Sequence, residues 1–221
     1  MRERSIIIPQ ARIPALLDGR MTQYRIPVRW PHPYNHPDAD FIVTKDGPDL
    51  MLGCEGTRLD AYSEPSVRWI KVVCPLGVPG DRLWVKEVWW TRHEYIAGCT
   101  AYAGVVYDVD LDDAQRDGRL NSGWKKKTSI CMPRSFSRIT LEIEAVRAER
   151  LQEIDEEDAE AEGVRTITGN VFVGREGPGA LVTPWPTARE AFADLWDFAY
   201  GKKHPWANND WVWVPTLRRV K

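Results

Sequence analysis

The chain has 221 residues, of which 43% are hydrophobic and 28% charged, and these are the proportions of a globular protein that can bury a core. The length suits one domain with long insertions, or one and a half domains. A formal net charge of −2 argues against a globally basic nucleic-acid-binding protein but leaves room for a local basic patch.

The first thirty residues predict a strand, a short helix and an extended segment, in that order. The strand is predicted over RSIIIP and the helix over QARIPALLDG, which Gly19 would end. TQYRIPV is expected to be extended. The residues from about 30 to 66 are rich in Pro, Gly, Asp and Asn, which predicts a long insertion over the surface.

The strongest β pattern of the chain lies in CPLGVPGDRLWVKEVWW, residues 74 to 90. Gly77, Pro79 and Gly80 predict a turn, and the alternation that follows predicts a strand with two different faces. TAYAGVVYDV predicts a second strand, whereas residues 110 to 127 predict a loop. A half-buried strand is predicted over SRITLEIEAVRAERL, with this apolar face: Ile139, Leu141, Ile143 and Ala145.

Two helices and a final strand are predicted in the C-terminal third. DEEDAEAEGV has Asp155 as a candidate N-cap and Gly163 as its terminator. PTAREAFADLWDFAYG carries a capping box of Thr187 and Glu190, and Gly201 would close that helix. WVWVPTLRRV predicts the strand. Together the elements predict an α+β fold, a small β-barrel with helices across its ends. No βαβ rhythm or glycine-rich phosphate loop is present, which argues against a Rossmann-type or P-loop enzyme.

The cysteines and histidines give little indication of a metal or redox site. The cysteines lack a CxxC pair and are expected to be free thiols in a reducing cytosol: Cys54, Cys74, Cys99 and Cys131. His32 and His36 lie in PHPYNHP, where prolines prevent the helix that would bring both to one face. We therefore expect no metal and no cofactor. We also expect a cytoplasmic protein without a secretory signal or membrane contact, because no apolar run is long enough.

Charge is unevenly distributed along the chain. Residues 1 to 30 contain six arginines, and residues 153 to 162 contain seven carboxylates. The eleven tryptophans either fill a small β-rich core or stack on planar ligands. GRMTQYR, residues 19 to 25, combines several hydrogen-bond donors with Met21, which has no charge and no proton to donate. This segment is a working site, a site that has lost its catalyst, or an ordinary turn with solvated arginines.

Five blocks of the sequence occur in the order found in a known family: LLDGRMTQYR, CPLGVPGDRLWVKEVWW, MPRSFSRITLEIEAVRAERLQEIDEEDAEAEGV, AFADLWDFAYG and WVWV. In this the chain resembles the ASCH-domain proteins of bacteriophages and prophages, which belong to the PUA-like superfamily. The resemblance covers both ends and most of the middle. It implies a single domain over residues 1–221, built as a PUA-like mixed β-barrel with short flanking helices and long loop insertions at about 30–66 and 100–125.

The resemblance also implies a cleft, lined in the family by a GxKT segment after the first helix and by a glutamate near the end of the acidic helix. Family members are associated with binding of RNA or modified nucleosides, and one branch hydrolyses the amide of N4-acylated cytidine with a lysine, a threonine and a glutamate. That glutamate corresponds to Glu162. Met21 stands at the lysine position and Tyr24 at the catalytic threonine position, whereas Thr22 matches a neighbouring threonine. Since methionine cannot accept a proton, the segment lacks the base of the hydrolases.

Each candidate residue also has a purely structural interpretation. Glu162 can belong to a solvated acidic helix or face the cleft, and Arg25 can lie on the surface, hold a phosphate or pair with Glu162. Met21 can be an apolar filler, and Trp84 can belong to the core. The residues expected to contact a ligand are Arg20, Met21, Thr22, Tyr24, Arg25, Trp84, Arg134, Arg138 and Glu162, with Glu162 catalytic only if the protein is an enzyme.

Three functions remain open at this point. The first is a binding module of phage or prophage origin for RNA, other single-stranded nucleic acid or a modified nucleoside, acting in the bacterial cytoplasm. The second is an amidohydrolase of N4-acylated cytidine-type nucleosides with a rearranged site, which Met21 disfavours. The third is a structural or host-interaction protein of a phage. Whether Met21 lines an open polar pocket or a filled one discriminates between them.

Overall fold

The computed structural model describes residues 1–29, 41–44, 49–55, 67–96, 99–169, 171–175 and 183–221, and it describes the side chains of all these except 41–44, 49–55, 67–71, 93–96 and 99–103. The expectations for His32, His36 and the thiols of Cys54 and Cys99 therefore lie outside the described residues. So does most of the insertion predicted over 30–66, although two strands are described within it.

Helices and several sheets are combined in the described chain, which confirms the α+β class. The strands are β1 Glu3–Ile7, β2 Ile26–Pro27, β3 Phe41–Thr44, β4 Asp49–Glu55, β5 Val67–Val73, β6 Arg82–Lys86, β7 Trp89–Ile96, β8 Cys99–Tyr107, β9 Lys125–Lys127, β10 Thr140–Arg150, β11 Arg165–Thr168, β12 Val171–Val173 and β13 Trp211–Arg219. The α-helices are α1 Ile13–Leu17, α2 Asp113–Asn121, α3 Glu156–Ala161 and α4 Ala188–Tyr200.

A five-stranded sheet in the order β1-β6-β10-β13-β2 forms the centre of the fold. β1 runs parallel to β6, and the other neighbours are antiparallel. The two-faced strand predicted at β6 is confirmed, because Leu83 and Val85 are buried whereas Trp84 and Lys86 are half-buried. Further sheets contain β3-β4-β5, β8-β7-β9 and β11-β12. Closure of the central sheet into a barrel stays a prediction.

The apolar face predicted for β10 is confirmed only in its first half. Ile139, Leu141 and Ile143 are buried, but Ala145 is exposed. The register between β10 and β13 shifts between Ile143 and Ala145, and the extra residue of this bulge reverses the faces of the strand beyond it. Ala148 is buried for that reason. Strict alternation therefore gave the wrong orientation for Ala145.

The ends predicted for α3 and α4 are confirmed, although the structure shows only the Thr187 half of the predicted capping box. Asp155 accepts a hydrogen bond from the Asp158 N–H (2.8 Å), and Thr187 Oγ1 accepts one from the Glu190 N–H (3.2 Å). Each bond satisfies a backbone donor that the first turn of a helix leaves open. Gly163 follows α3 with φ of 99°, in the left-handed region that glycine adopts without strain.

The loop predicted over 110–127, which overlaps the proposed insertion 100–125, is wrong. The structure places α2 and β9 in this segment. Asp112 and Gln115 form a reciprocal capping box at the start of α2. No residue of α2 is buried, and its apolar side chains are Ala114 and Leu120, too few for an apolar stripe by which the helix could be recognised.

Two hydrophobic clusters lie at opposite ends of β13, the fourth strand of the central sheet. The first packs α1 against the central sheet and includes Ile13, Leu16 and Leu217. The second packs α4 against the start of β13 and includes Phe192 and Val212. The segment that links α1 to β2 contributes to the first cluster and touches the second. No helix in the described ranges is both long enough and apolar enough to cross a membrane.

Candidate functional site

Backbone hydrogen bonds fix the segment between α1 and β2 against two other parts of the chain. The Thr22 N–H donates to the Ala161 carbonyl at the end of α3 (2.8 Å), and the Thr22 carbonyl accepts from the Leu217 N–H of β13 (2.7 Å). The segment therefore runs between α3 and β13. The expected proximity of residues 19–25 to Glu162 is found, since Glu162 directly follows Ala161.

A glycine after Glu162 allows the end of α3 to approach α1 closely. A Cβ atom at Gly163 would lie 2.8 Å from the Ala15 Cβ and 3.5 Å from the Met21 Cβ. Any larger residue would push the two segments apart. The contact that glycine permits brings the Glu162 carboxylate into the interior beside the residues of the first segment.

Glu162 is fully buried, and arginines bind both of its carboxylate oxygens. Its Oε2 accepts from Nη2 of Arg12, which also donates to the Glu162 carbonyl (2.6 Å). Its Oε1 accepts from the Arg25 backbone N–H (2.7 Å) and from Arg25 Nη1 (3.1 Å). In this arrangement the carboxylate acts as a structural acceptor for two buried guanidinium groups.

Arg25 is also fully buried, and two further carboxylates share its guanidinium group. Nε donates to Glu149 (3.0 Å), and Nη2 donates to Asp158 (2.6 Å). Burial disfavours the charged guanidinium, but Glu162 and Glu149 outweigh it, so the pKa of Arg25 lies above its usual value. Arg147 extends this buried network towards the surface by binding Glu149 (2.9 Å) and Asp158.

Four of the predicted ligand-contacting residues meet in this interior. Met21, Tyr24, Arg25 and Glu162 are each at most 3% exposed. Of the roles considered for Arg25, pairing with Glu162 is the one observed, and Met21 packs in the first hydrophobic cluster. The expectation of an open cleft at these residues is corrected, because their own side chains fill the space. Ligand contact there stays a prediction that would require the segment to open.

Arg20 and Thr22 lie at the edge of the buried network. Thr22 is exposed and Arg20 is half-buried. Arg20 Nε donates to Asp18 (2.9 Å), and Arg20 Nη1 donates to the Gly163 carbonyl (3.0 Å). These bonds help to hold the segment on the end of α3.

Trp84, Arg134 and Arg138 lie on other elements. Trp84 is half-buried on β6, and the Arg134 guanidinium carbon lies 5.8 Å from its ring centre. Arg138 donates to both oxygens of the buried Glu87 and stacks 3.9 Å from the ring centre of Tyr107. The structure therefore does not bring these three residues to the segment 19–25.

Acid is expected to weaken the buried network through Asp158. Burial alone would raise the pKa of Asp158, but hydrogen bonds from Gln23 and Arg25 lower it below its usual value. Such a carboxyl stabilises the fold above its unfolded pKa of about 4, and the contribution is lost as the pH falls through the lower folded value. We expect Asp158→Asn to lower the free energy of unfolding at neutral pH, and the difference from the native chain to shrink as the pH falls below about 4.

Urea denaturation at a series of pH values measures this difference. Asp113→Asn is the matched control, because the Asp113 side chain is 97% exposed. It should change stability little at any pH. An Asp158→Asn effect that is the same at neutral and at acidic pH would contradict the role given to the carboxylate charge.

A cavity of about 560 Å³ lies at the C-terminal end of α4. Its walls include Arg29, Tyr200, Lys202, Lys203 and His204. Arg29, Lys202 and Lys203 are exposed, and none of them pairs with a carboxylate of the described chain. The volume is typical of ligand pockets, which span roughly 300–1,000 Å³. Because three exposed cations line this cavity, we call it the basic pocket.

The basic pocket and the buried network meet at two tyrosines. Tyr200 lines the pocket, and its hydroxyl oxygen lies 3.1 Å from that of Tyr24. The Tyr24 ring lies under the Arg12 guanidinium, whose carbon is 4.8 Å from the ring centre. Burial raises the pKa of both tyrosines, so both hydroxyl groups stay protonated at neutral pH. The network thus continues to the pocket wall through neutral hydrogen-bond donors.

Sequence reasoning missed the basic pocket because its residues come from distant parts of the chain. Arg29 follows β2, whereas the others lie in YGKKHP, which begins at the last residue of α4. Basic residues after a helix are common, since they suit the negative end of the helix dipole. The two lysines of YGKKHP therefore gave no distinct signal of a binding site. Arg12 was also missed as the partner of Glu162, although the excess of arginines before residue 30 and of carboxylates over 153–162 was visible.

Metal ligands and known proteins give no further guidance. Among the residues with described side chains, no group of three or more His, Cys, Asp or Glu could hold a metal ion. Cys74 and Cys131 are free thiols, as expected. Comparison of the chain with protein-family models, with curated proteins and with solved structures finds no match.

Proposed function

We propose that this protein binds single-stranded nucleic acid and that the basic pocket holds one nucleotide of it. The observation that carries the proposal is the charge of the pocket. Arg29, Lys202 and Lys203 surround one cavity without carboxylate partners in the described chain, although the net charge of the protein is −2. Phosphate groups are the common anionic ligands that such a cluster of separate cations holds.

The pocket also offers an aromatic surface for a base. Tyr200 stands in its wall, and its ring packs against that of Trp196 at 4.6 Å between ring centres. Stacking of a base on an aromatic side chain contributes about 1–3 kcal/mol and works for any base. A phosphate held by the lysines and a base beside Tyr200 together account for the size and the charge of the cavity.

A binding role also fits the proposed membership of the PUA-like ASCH family, with its barrel and its phage or prophage origin. The amidohydrolase alternative has less support. Glu162 has both oxygens occupied by arginines, and Met21 supplies no base. We therefore propose a binding module in which the former catalytic position has become part of the core, while the basic pocket takes the ligand.

Replacing the two pocket lysines is expected to weaken binding of single-stranded RNA. Lys202→Ala/Lys203→Ala should reduce the affinity for a fluorescein-labelled pentauridylate roughly tenfold at low salt, because one or two phosphate contacts are lost. The slope of log affinity against log salt should fall by about 0.7–1.4, since the two lysines neutralise one or two phosphates of the strand and each contributes about 0.7. Fluorescence anisotropy titrations at several salt concentrations measure both quantities.

The matched control is Arg2→Ala/Lys221→Ala, which removes the same charge from two exposed positions outside the pocket. This variant should retain most of the affinity. Equal losses in the two double variants would mean that only the net charge matters, and the pocket would then not be the binding site. A native chain that binds neither pentauridylate nor pentathymidylate at low salt would refute the proposed function.

A further inference from the structure

His204 lines the basic pocket and is paired with a carboxylate from another segment. Its Nδ1 lies 2.8 Å from Oδ2 of Asp210, the residue before β13. An ionised carboxylate only accepts hydrogen bonds, so Nδ1 carries a proton and donates to Asp210. The other ring nitrogen, Nε2, is therefore the atom at which the imidazole gains or loses its charge.

The pair is held in place but is open to solvent. The His204 N–H donates to the Tyr200 carbonyl at the end of α4 (2.9 Å), and the His204 carbonyl accepts from Nε1 of Trp196 (2.7 Å). The side chains of His204 and Asp210 are 33% and 32% exposed. Within the described part of the chain, the His204 ring has no hydrogen-bond partner other than Asp210. Its Nε2 can therefore take a proton from water without losing a bond.

The ionisable groups around His204 come from three segments of the chain. They are Arg29 after β2, Tyr200, Lys202 and Lys203 at the end of α4, and Asp210 before β13. The three cations repel an imidazolium, whereas the Asp210 carboxylate attracts it. Tyr200 stays neutral, because burial raises its pKa. A phosphate bound in the pocket brings negative charge beside His204, which offsets the repulsion and stabilises the imidazolium.

We propose that His204 is a further binding residue of the basic pocket, which becomes positively charged when a phosphate group binds, so that binding takes up a proton. This inference rests on the proposed function. Histidine is the side chain whose charge ordinarily changes between about pH 5 and 8. Since a pocket with a charged His204 binds phosphate more tightly, the affinity rises as the pH falls through this range. Lysine and arginine keep their charge throughout it and cannot cause this change.

Isothermal titration calorimetry tests the inference with unlabelled pentauridylate, whose phosphodiester groups keep their charge over this range. The affinity should rise about 3- to 10-fold between about pH 8 and pH 5.5, the effect of one added charge several ångströms from a phosphate at the protein surface. Near the middle of this range, binding should take up part of one proton. This uptake is measured as the difference in binding heat between two buffers of unequal ionisation enthalpy.

The His204→Gln variant identifies the group that takes up the proton. Glutamine can still donate to Asp210, but it does not change charge with pH. The affinity of this variant should be close to that of the native chain at about pH 8, and it should be the same at about pH 5.5, with no uptake of a proton. Circular dichroism at both pH values checks that the two proteins are folded.

The outcomes separate this inference from the proposed function. Absence of proton uptake by the native chain would overturn the inference whether or not the variant folds. Uptake of the same size by folded His204→Gln would also overturn it, because another group would then be titrating. In both cases, binding that depends on Lys202 and Lys203 would leave the proposed function standing. Absence of lysine-dependent binding would overturn both.

Discussion

Replacing Glu162 with alanine is expected to lower the free energy of unfolding by about 3–5 kcal/mol, the cost of leaving a buried charge without its partner. Arg12, which is 3% exposed, would lose the carboxylate that it binds, and Arg25 would lose one of its three. For a chain of this size, the midpoint of thermal unfolding should fall by roughly 6–20 °C. Urea denaturation followed by circular dichroism measures the change in free energy.

Two further variants show whether the unpaired charge is the cause. Glu144→Ala breaks an ion pair with Arg218 in which both side chains are about half exposed, and it should cost less than about 1 kcal/mol. Adding Arg12→Met to Glu162→Ala removes the stranded cation, so the double variant should be less destabilised than the sum of the single changes. A Glu162→Ala effect as small as that of Glu144→Ala would contradict the buried network.

The parts of the fold that depend on local signals could be predicted from the sequence. The alternation in β6 and the caps of α3 and α4 are encoded within a few residues, and the structure has them as expected. The helix α2 was missed because its sequence has few apolar side chains, and its start is marked by the capping box of Asp112 and Gln115. The bulge in β10 depends on its pairing with β13, which lies far away in sequence.

The candidate site shows the same division between local and distant causes. The nearness of residues 19–25 to Glu162 was predicted through the resemblance, but the burial of Glu162 was not. An acidic helix has the sequence pattern of a solvated face. Only the arginines that bind Glu162 explain why its side chain is buried. Arg12 stands 150 residues before Glu162, and no local pattern links the two. The basic pocket likewise needs β2 and the end of α4 to meet, which the sequence of neither segment indicates.

Introducing the lysine of the hydrolase pattern, Met21→Lys, is expected to destabilise the fold by several kcal/mol, on the order of the cost of an unpaired buried charge. Met21 is 3% exposed among apolar neighbours, and its N–H is bound to the Ala15 carbonyl (3.0 Å). A lysine there could avoid being an unpaired buried charge only by losing its proton or by displacing an arginine from Glu162. The matched control is Met21→Leu, which conserves volume and should cost less than about 1.5 kcal/mol.

Neither the native chain nor Met21→Lys is expected to hydrolyse N4-acetylcytidine. The native chain has no base at position 21, and at the position of the hydrolases' catalytic threonine stands the buried Tyr24, whose hydroxyl is bound to Tyr200 and has a raised pKa. A neutral phenol held in this way is not an activated nucleophile. Incubation of either protein with N4-acetylcytidine, followed by chromatography for cytidine, tests this directly. Turnover by the native chain that is absent from a Glu162→Gln variant shown to be folded by circular dichroism would show that the segment opens and that Glu162 serves as the base, and the amidohydrolase would then replace the binding module as the function of this protein.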